Sequence, residues 1–239
     1  MTGAATRSGW LLRRWFARAT ITLATLIVIA GRAAADISVS PTVILFESGA
    51  TDRTIVVTNQ GREIAFVTAK VRVVSAPGEA DEKLLADPNP AAMGLVATPS
   101  RFALEPGEQR GVRLLTIGSV GNRDRVWRVQ LAPAAGTLKP GQSGVAFIIA
   151  YDALVIQRAA NARPSLAGQR AGRTLTLTNR SNSFVMVSSV EQCSAGKCTT
   201  LPGKRLYAGQ AWTAQLPAID GQVTVNLQGI GNRKEMLHL

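Results

Sequence analysis

Histidine, cysteine and paired acidic residues are scarce in this 239-residue sequence, which has one histidine, His238, and two cysteines, Cys193 and Cys198. One imidazole excludes a multi-histidine zinc site or a facial-triad iron site and makes a Ser-His-Asp triad improbable. Two cysteines exclude a four-thiolate cluster. The 15 acidic residues show no pair at a spacing that indicates general acid–base catalysis. The sequence therefore predicts a protein that is not an enzyme and uses no metal and no cofactor.

Aromatic residues are also few, at 5 % of the chain, and no run of lysine and arginine is interleaved with them. Such interleaving is typical of nucleic-acid-binding surfaces, so we expect no nucleic-acid partner. The formal net charge of +12 does not change this expectation, because part of it belongs to the N-terminal segment. The remaining charge is compatible with a soluble secreted protein or with acidic partners.

The N-terminal 35 residues have the pattern of a secretory signal. Arginines from Arg7 to Arg18 precede an apolar run over 19–30, and Ala33-Ala34-Ala35 then forms a small-x-small cleavage pattern before Asp36. The apolar run is shorter than the roughly 20 residues that span a bilayer, so we expect no membrane anchor after cleavage; a retained anchor is the alternative. Cleavage removes five arginines and no acid, and leaves 22 basic and 15 acidic residues, a net charge of +7.

Short stretches of alternating apolar and polar residues dominate the rest of the chain, with turn residues such as Glu105-Pro-Gly between them. This pattern predicts an all-β fold of two immunoglobulin-like β-sandwich domains. We place the first domain at 36–158, a linker at 159–172 and a smaller second domain at 173–239, and expect a long surface loop at 77–93. The predicted strands are 37–43, 54–58, 65–73, 94–98, 109–116, 126–132, 145–156, 174–178, 184–190, 212–216 and 222–228.

Cys193 and Cys198 lie in Glu-Gln-Cys-Ser-Ala-Gly-Lys-Cys-Thr-Thr. In an exported protein, two cysteines this close predict a disulfide across the tip of a hairpin. A redox-active pair would need Cys-x-x-Cys in a βαβ context, and the sequence has neither.

The segment 145–156 departs from the pattern of a simple sandwich strand, because its first seven residues are apolar on both faces. A strand with one face in water alternates apolar and polar residues. Two explanations stay open: a central strand covered on both sides, or an exposed apolar edge that pairs with another chain. One face has the bulky residues Val145, Phe147, Ile149 and Tyr151, and the other has Ala146, Ile148 and Ala150.

Several stretches, in this order, resemble the PapD-like periplasmic chaperones of pilus assembly, also called chaperone–usher chaperones. They are Phe102-Ala-Leu-Glu-Pro-Gly-Glu-Gln-Arg-Gly-Val-Arg-Leu-Leu-Thr116, Arg125-Val-Trp-Arg-Val-Gln-Leu-Ala-Pro133, the strand 145–156, Leu177-Thr-Asn-Arg-Ser-Asn182 and Leu201-Pro-Gly203. No single motif is highly specific, and the Leu-Glu-Pro-Gly turn followed by Val-Arg-Leu is the most telling. Together they cover essentially the whole chain after the signal.

The resemblance implies two immunoglobulin-like domains set at an angle, in the periplasm of a Gram-negative bacterium. It implies that 145–151 is a donor strand lent to a pilin-like secreted subunit that lacks its own last strand. The subunit would be kept from aggregating and then passed to an outer-membrane usher. A second copy of the chain, bound through the donor strand, is a further partner that the pattern leaves open. A secreted β-sandwich adhesin or binding module is the alternative function.

Two departures from the family pattern concern the binding site. Members of the family hold the subunit's C-terminal carboxylate with two basic residues, and the corresponding positions here are Val43 and Ala153, neither of them basic. Replacement cations could be Arg110, Arg113 or Arg158. Counting from these positions selects Ala146 and Ile148 as the inserting face, whereas bulk selects Val145, Phe147, Ile149 and Tyr151, and we favour bulk. The family also ties its domains together with acid–base contacts, for which Asp124, Arg158 and Asp220 are candidates, although an ordinary solvated charge is the favoured explanation for each one.

Overall fold

The computed structural model describes residues 36–47, 49–134, 148–228 and 234–238, with the backbone alone for 234–237. The predicted signal at 1–35 lies outside these residues. The described chain forms strands and one short helix, in agreement with the predicted all-β class. In the first half these are β1 Ile37–Ser40, β2 Val43–Phe46, β3 Asp52–Asn59, β4 Ala65–Ser75, β5 Lys83–Leu85, α1 Pro90–Met93, β6 Leu95–Thr98, β7 Arg101–Leu104, β8 Gln109–Thr116, β9 Arg125–Pro133 and β10 Tyr151–Gln157.

Two sheets of this first half form a sandwich. One has the strand order β1-β3-β8-β6, and the other has β2-β10-β9-β4-β5, with β7 also paired to β4. Alternation produces the core: in β3, for example, Ile55 and Val57 are fully buried while the intervening Val56 is exposed. Trp127 of β9 is 1 % exposed, and its indole N–H donates to the Met93 carbonyl oxygen at 2.7 Å, which satisfies its only polar atom.

The second half forms another pair of sheets with its own core. The strands are β11 Leu166–Ala171, β12 Thr174–Asn179, β13 Val185–Ser194, β14 Lys197–Pro202, β15 Arg205–Leu206, β16 Ala211–Gln215, β17 Gln222–Gln228 and β18 Lys234–His238. One sheet has the order β11-β12-β16, and the other has β14-β13-β17-β18 with β15 paired to β13. Leu175, Leu177, Val187 and Val225 are fully buried between the sheets.

Most predicted strands are present, and β8 and β17 have the predicted bounds. The segment 159–172, which was expected to be a linker, contains a strand, since Leu166–Ala171 pairs antiparallel with β12 along its whole length. It is an edge strand with no fully buried residue, and its side chains are small or polar except for Leu166, which packs against the second core. The predicted loop 77–93 contains the short edge strand β5 and the one-turn helix α1, which the Asn89 side chain caps by accepting from the Ala91 N–H at 3.0 Å.

Cys193 and Cys198 face each other across the β13–β14 hairpin and form a disulfide, which confirms the predicted staple. The hairpin turn is Ala195-Gly196, where both residues have positive φ. Among the described residues, the one group of three potential metal ligands is Glu191 with these two cysteines. Their sulfurs are bonded to each other, so this group offers no thiolate ligand.

The same corner closes both sandwiches, around Asn59 in the first and Asn179 in the second. The Asn59 amide donates to the carbonyl oxygens of Glu63 (2.7 Å) and Leu104 (3.0 Å). The Asn179 amide donates to those of Ser183 and Leu206, both at 2.8 Å. Each asparagine also accepts, through its side-chain oxygen, the N–H of the residue two positions later. Because both asparagines are buried, each corner satisfies polar groups that water does not reach.

The turns after Leu104 and Leu206 also match. In the first sandwich, Glu108 accepts the Glu105 N–H through its carboxylate at 2.8 Å; in the second, Gln210 accepts the Tyr207 N–H through its amide oxygen at 2.9 Å. Gly107 and Gly209, with φ of 78° and 89°, donate to the main-chain oxygens of Asn59 and Asn179. The repeat is not evident in the amino-acid sequence because few side chains are identical between the two copies.

Candidate functional site

The candidate site lies where β2 and β10 meet at the junction of the two sandwiches. β10 is antiparallel to β9 over its whole length, but β2 pairs with only its second half, Leu154–Gln157, in parallel. Within the described residues, the outer edge of Tyr151–Ala153 therefore has no strand beside it. A free main-chain edge of this kind accepts an added strand.

Two exposed isoleucines precede this free edge. Ile148 is 45 % exposed and Ile149 is 63 % exposed, and residues 148–150 have no strand partner among the described residues. Tyr151 is half-buried and packs against the core of the first sandwich. The other predicted donor residues, Val145, Ala146 and Phe147, lie outside the described residues.

The two positions that the resemblance assigns to a basic pair have different surroundings. Val43 is half-exposed at the start of β2, whereas Ala153 is fully buried in the core of the first sandwich. The residue opposite Val43 is Leu154, which faces away from that core. This position therefore offers no cation on β2 or β10.

The replacement cations proposed from the sequence are all paired. Arg110 contacts Glu108 at 3.0 Å and Arg113 contacts Asp52 at 3.2 Å, and both lie on β8 of the opposite sheet. Arg158 does lie at the junction, but its side chain is only 5 % exposed and its Nε contacts Glu47 at 3.1 Å. The Glu47 carboxylate therefore neutralises the one predicted cation that the structure places at the junction.

Arg158 also bonds the two sandwiches together, but its partners in the second sandwich are a hydroxyl, a carbonyl and an aromatic ring and not the acid that the resemblance implied. Its Nη1 donates to the Ser183 hydroxyl at 2.9 Å and to the Phe184 carbonyl at 3.3 Å, and its guanidinium stacks 4.0 Å from the centroid of the Phe184 ring. Phe184 packs with Val126, Leu154 and Ile156 in a small apolar cluster that both sandwiches supply.

Asp124 completes this contact. Its carboxylate accepts the Ala159 N–H at 2.9 Å, the Ser183 hydroxyl at 3.1 Å and the Phe184 N–H at 2.7 Å. Asp220, the third candidate, accepts instead from Ser194 within the second sandwich and takes no part in the contact between sandwiches.

A cavity of about 190 Å³ opens beside this contact. Its apolar walls come from both sandwiches, namely Val43, Leu45 and Ile156 of the first and Phe184 and Met186 of the second. Its charged lining residues are Glu47, Arg158 and Arg205. Arg205 was not singled out from the sequence, because an arginine in a two-residue strand after Pro-Gly-Lys looks like an ordinary surface residue.

Arg205 differs from the other arginines at the junction in its hydrogen bonding. It lies over the Phe184 ring, 5.3 Å from the centroid, on β15 of the second sandwich. Its Nε is buried without a hydrogen-bond partner, and within the described part of the chain its guanidinium forms no ion pair. A buried donor without a partner is costly, so a hydrogen-bond acceptor placed at this nitrogen would be stabilising.

Two ionisable groups elsewhere have shifted pKa values. The Glu105 N–H, and after it the Arg110 guanidinium, hold the pKa of Glu108 below its ordinary value. Burial lowers the pKa of Arg125, whose guanidinium donates to Gly94, Ile117 and Gln157. Both groups stabilise turns of the first sandwich and lie outside the cavity.

No helix in the described ranges has the length and apolar character needed to cross a membrane.

Comparison with known protein families gives no match, and comparison with curated protein sequences gives none either. Solved structures do match. The class 5 fimbriae chaperone CfaA has a TM-score of 0.66 at 20 % identity over 85 % of this chain and 98 % of its own. The SafB chaperone, solved with the SafA pilin of Salmonella enterica, has a TM-score of 0.61 at 18 % identity, over 87 % of this chain and 98 % of SafB. The E. coli chaperone DraB has a TM-score of 0.58 at 16 % identity, over 86 % of this chain and 96 % of DraB. The chain therefore has the PapD-like chaperone fold, as predicted.

Proposed function

We propose that this protein is a periplasmic chaperone that binds pilin-like subunits by donating an edge strand and holds them until an outer-membrane usher takes them. The observation that carries the proposal is the free edge at Tyr151–Ala153, next to the exposed Ile148 and Ile149, on a fold shared with fimbrial chaperones. The structure of SafB in complex with a pilin gives a precedent for such a partner in a protein of this fold.

The alternation of β10 favours the bulky face as the inserting one. Ala153 and Val155 point into the core of the first sandwich, and Tyr151 packs against the same core. If the strand continues toward its N-terminus, Ile149, Phe147 and Val145 follow on this face. A subunit sheet added to the free edge would then continue the chaperone's core with its own. Each side chain of this size that becomes buried contributes about 1.5–3 kcal/mol before ordering costs.

This mode of action needs only binding. The donated strand supplies main-chain hydrogen bonds along the subunit's open edge and apolar side chains for its open core. We propose that release follows when another strand replaces the donated one during transfer to the usher. The two sandwiches would then have separate tasks. The first, within the predicted domain 36–158, would donate the strand, and the second, which comprises the predicted domain 173–239 together with β11, would complete the cavity at the junction.

Purification of the tagged protein from the periplasm, followed by mass spectrometry of stoichiometric partners, tests the proposal. We expect a small secreted β-sandwich protein to co-purify with wild type and with Ile219→Asp, and to be lost from Ile149→Asp. Ile219 is the matched control because it is an isoleucine that is 72 % exposed in the second sandwich.

Equal recovery with Ile149→Asp would refute the proposed donor segment. A monodisperse wild-type protein without any partner would favour the self-sufficient binding module instead. A dimer that Ile149→Asp dissociates would show that the free edge is occupied by a second copy of the chain.

A further inference from the structure

The excess positive charge of the exported chain belongs almost entirely to the second sandwich. Residues 36–158 have thirteen basic and twelve acidic side chains, a net charge of +1, whereas residues 159–239 have nine basic and three acidic ones, a net charge of +6. All four ion pairs of the described residues lie within 36–158. The second sandwich is therefore a basic body that anionic surfaces attract.

The end of this sandwich that lies away from the junction has an isoleucine in open solvent. This end, which we call the distal tip, consists of the loop 216–221 and the hairpin turns 171–173 and 194–197. Ile219 of the loop is 72 % exposed, more than any other large apolar side chain that the structure describes. β13 extends for 10 residues, roughly 30 Å, from beside Phe184 at the junction to Ser194 at the distal tip. The distal tip is therefore remote from the free edge of β10.

The main-chain oxygens of the loop are satisfied by two side chains of the second sandwich. Arg170 of β11 and the buried Gln192 of β13 together donate to all four oxygens from Ala218 to Gly221, at distances from 2.5 to 3.4 Å. Exposed loops commonly satisfy these oxygens with water, and a loop that moves into apolar surroundings loses those bonds. This loop keeps its bonds, so Ile219 can leave water at little cost in hydrogen bonding.

Two exposed cations border the loop. Arg173 donates through Nε to the Leu216 oxygen at 2.9 Å. Lys197 lies opposite Ser194 in the β13–β14 hairpin, and the Ser194 hydroxyl donates to the Asp220 carboxylate of the loop at 3.1 Å. Asp220 is the one acid in the three segments of the distal tip. The distal tip therefore combines an exposed apolar side chain with a surplus of positive charge.

We infer that the distal tip binds reversibly to the surface of an anionic phospholipid membrane, with Ile219 inserted at the headgroup–acyl boundary and the cations beside the phosphates. Peripheral proteins bind anionic bilayers through this combination of apolar and basic side chains. A protein partner fits less well, because the loop oxygens are already engaged and one isoleucine supplies far less than the roughly 800 Å² that each partner of a stable complex buries. The inference goes beyond the proposed function and does not rest on it.

Sedimentation with sucrose-loaded vesicles tests the inference on the whole chain after the predicted signal. We expect the protein to bind phosphatidylcholine vesicles that contain about 30 % phosphatidylglycerol, at about 50 mM salt, and not vesicles of phosphatidylcholine alone. Ile219→Ser should lower the partition coefficient about ten-fold and Lys197→Gln about five-fold. The matched controls are Ile64→Ser and Lys83→Gln, an exposed isoleucine and an exposed lysine of the first sandwich, and each should stay within about two-fold of wild type.

Three outcomes would overturn the inference. Wild type that does not bind the anionic vesicles would leave an acidic protein as the partner of the basic sandwich. Equal losses in Ile219→Ser and Ile64→Ser would show that the distal tip is not the contact. Binding that high salt abolishes but that Ile219→Ser leaves unchanged would be a general attraction to the charge of the sandwich.

The fluorescence of Ile219→Trp gives an independent measurement of insertion. Relative to wild type, its emission should shift to the blue on anionic vesicles, and that of Ile64→Trp should not; equal responses would contradict insertion at the distal tip. Ile219→Asp separates the two functions, since it should lose the vesicles and still co-purify with the subunit. Failure of the membrane site and failure of the chaperone function are therefore distinguishable.

Discussion

The contact that Asp124 makes between the two sandwiches allows a quantitative prediction for Asp124→Asn. The carboxylate accepts three hydrogen bonds, two of them from the main-chain N–H groups of Ala159 and Phe184, which are both buried residues. An asparagine has one acceptor oxygen, so in either orientation its NH₂ faces one of these N–H groups. The orphaned donor costs about 1–3 kcal/mol, and loss of the charge weakens the bond that remains. We expect a total loss of about 2–4 kcal/mol.

Urea unfolding measures this loss, and the chain has a reporter in each sandwich. After the predicted signal, the tryptophans are Trp127, buried in the first sandwich, and Trp212, half-buried in the second. With a slope of about 2 kcal/mol per molar, the midpoint should fall by roughly 1–2 M. Fluorescence in Trp127→Phe and Trp212→Phe backgrounds shows which sandwich loses stability.

The matched control is Asp220→Asn, at an exposed acid that accepts one hydroxyl within the second sandwich. We expect a change below about 0.5 kcal/mol there, as for most surface substitutions. The reasoning is refuted if Asp124→Asn unfolds within about 0.5 kcal/mol of wild type, or if both substitutions lower the midpoint equally.

Three further predictions concern stability. Asn59→Ala and Asn179→Ala should each cost about 2–4 kcal/mol, because each removes two hydrogen bonds donated to carbonyls and one accepted from a main-chain N–H in a buried corner. Each loss should be reported first by the tryptophan of its own sandwich, and a loss below about 1 kcal/mol for either would contradict the proposed corner. Replacing Cys193 and Cys198 together by serine should lower the stability of the second sandwich by about 2 kcal/mol, the chain-entropy value for so short a loop, and a Trp212 midpoint that is unchanged would count against it. Because the pKa of Glu108 is lowered in the folded state, the stability that its carboxylate contributes is present above the ordinary carboxyl pKa of about 4.5 and is lost as pH falls through the lower folded value. Below roughly pH 5, the melting temperature of Glu108→Gln should therefore fall less with acid than that of wild type. Parallel pH profiles of the two melting temperatures would show that the carboxylate contributes nothing.

The fold class was predictable from the sequence because apolar and polar residues alternate along most strands, and the apolar positions are the ones buried in the cores. The bounds of β8 and β17 were predicted to the residue, since each has apolar residues on one face and turn residues at both ends. β11 was missed because this edge strand has a single large apolar residue, Leu166, and therefore no apolar alternation to detect. The disulfide was predictable from spacing and export alone.

The site was less predictable, because its geometry depends on contacts distant in sequence. The exposure of Ile148 and Ile149 agrees with one of the two explanations that the sequence left open for 145–156, and Asp124 and Arg158 do lie at the junction. Arg205 could not be found from its neighbours in the chain, since its significance depends on Phe184 and on the cavity beside β2. Asp220 shows the converse: its acidic side chain fitted the pattern, but the fold directs it to Ser194.

The two copies of the corner differ in one functional group, the carboxylate of Glu108 against the amide of Gln210, and this difference gives the second copy an additional contact. Glu108 and Gln210 close equivalent turns with the same acceptor bond, but an ionised carboxylate has no hydrogen to donate. The Gln210 amide does, and it donates to the Pro77 oxygen of the first sandwich at 2.7 Å, beside Gly78, where a Cβ would come within 2.9 Å of the same nitrogen. The second corner thereby acts as a latch on the first sandwich, and Gln210→Glu would keep the turn while releasing the latch.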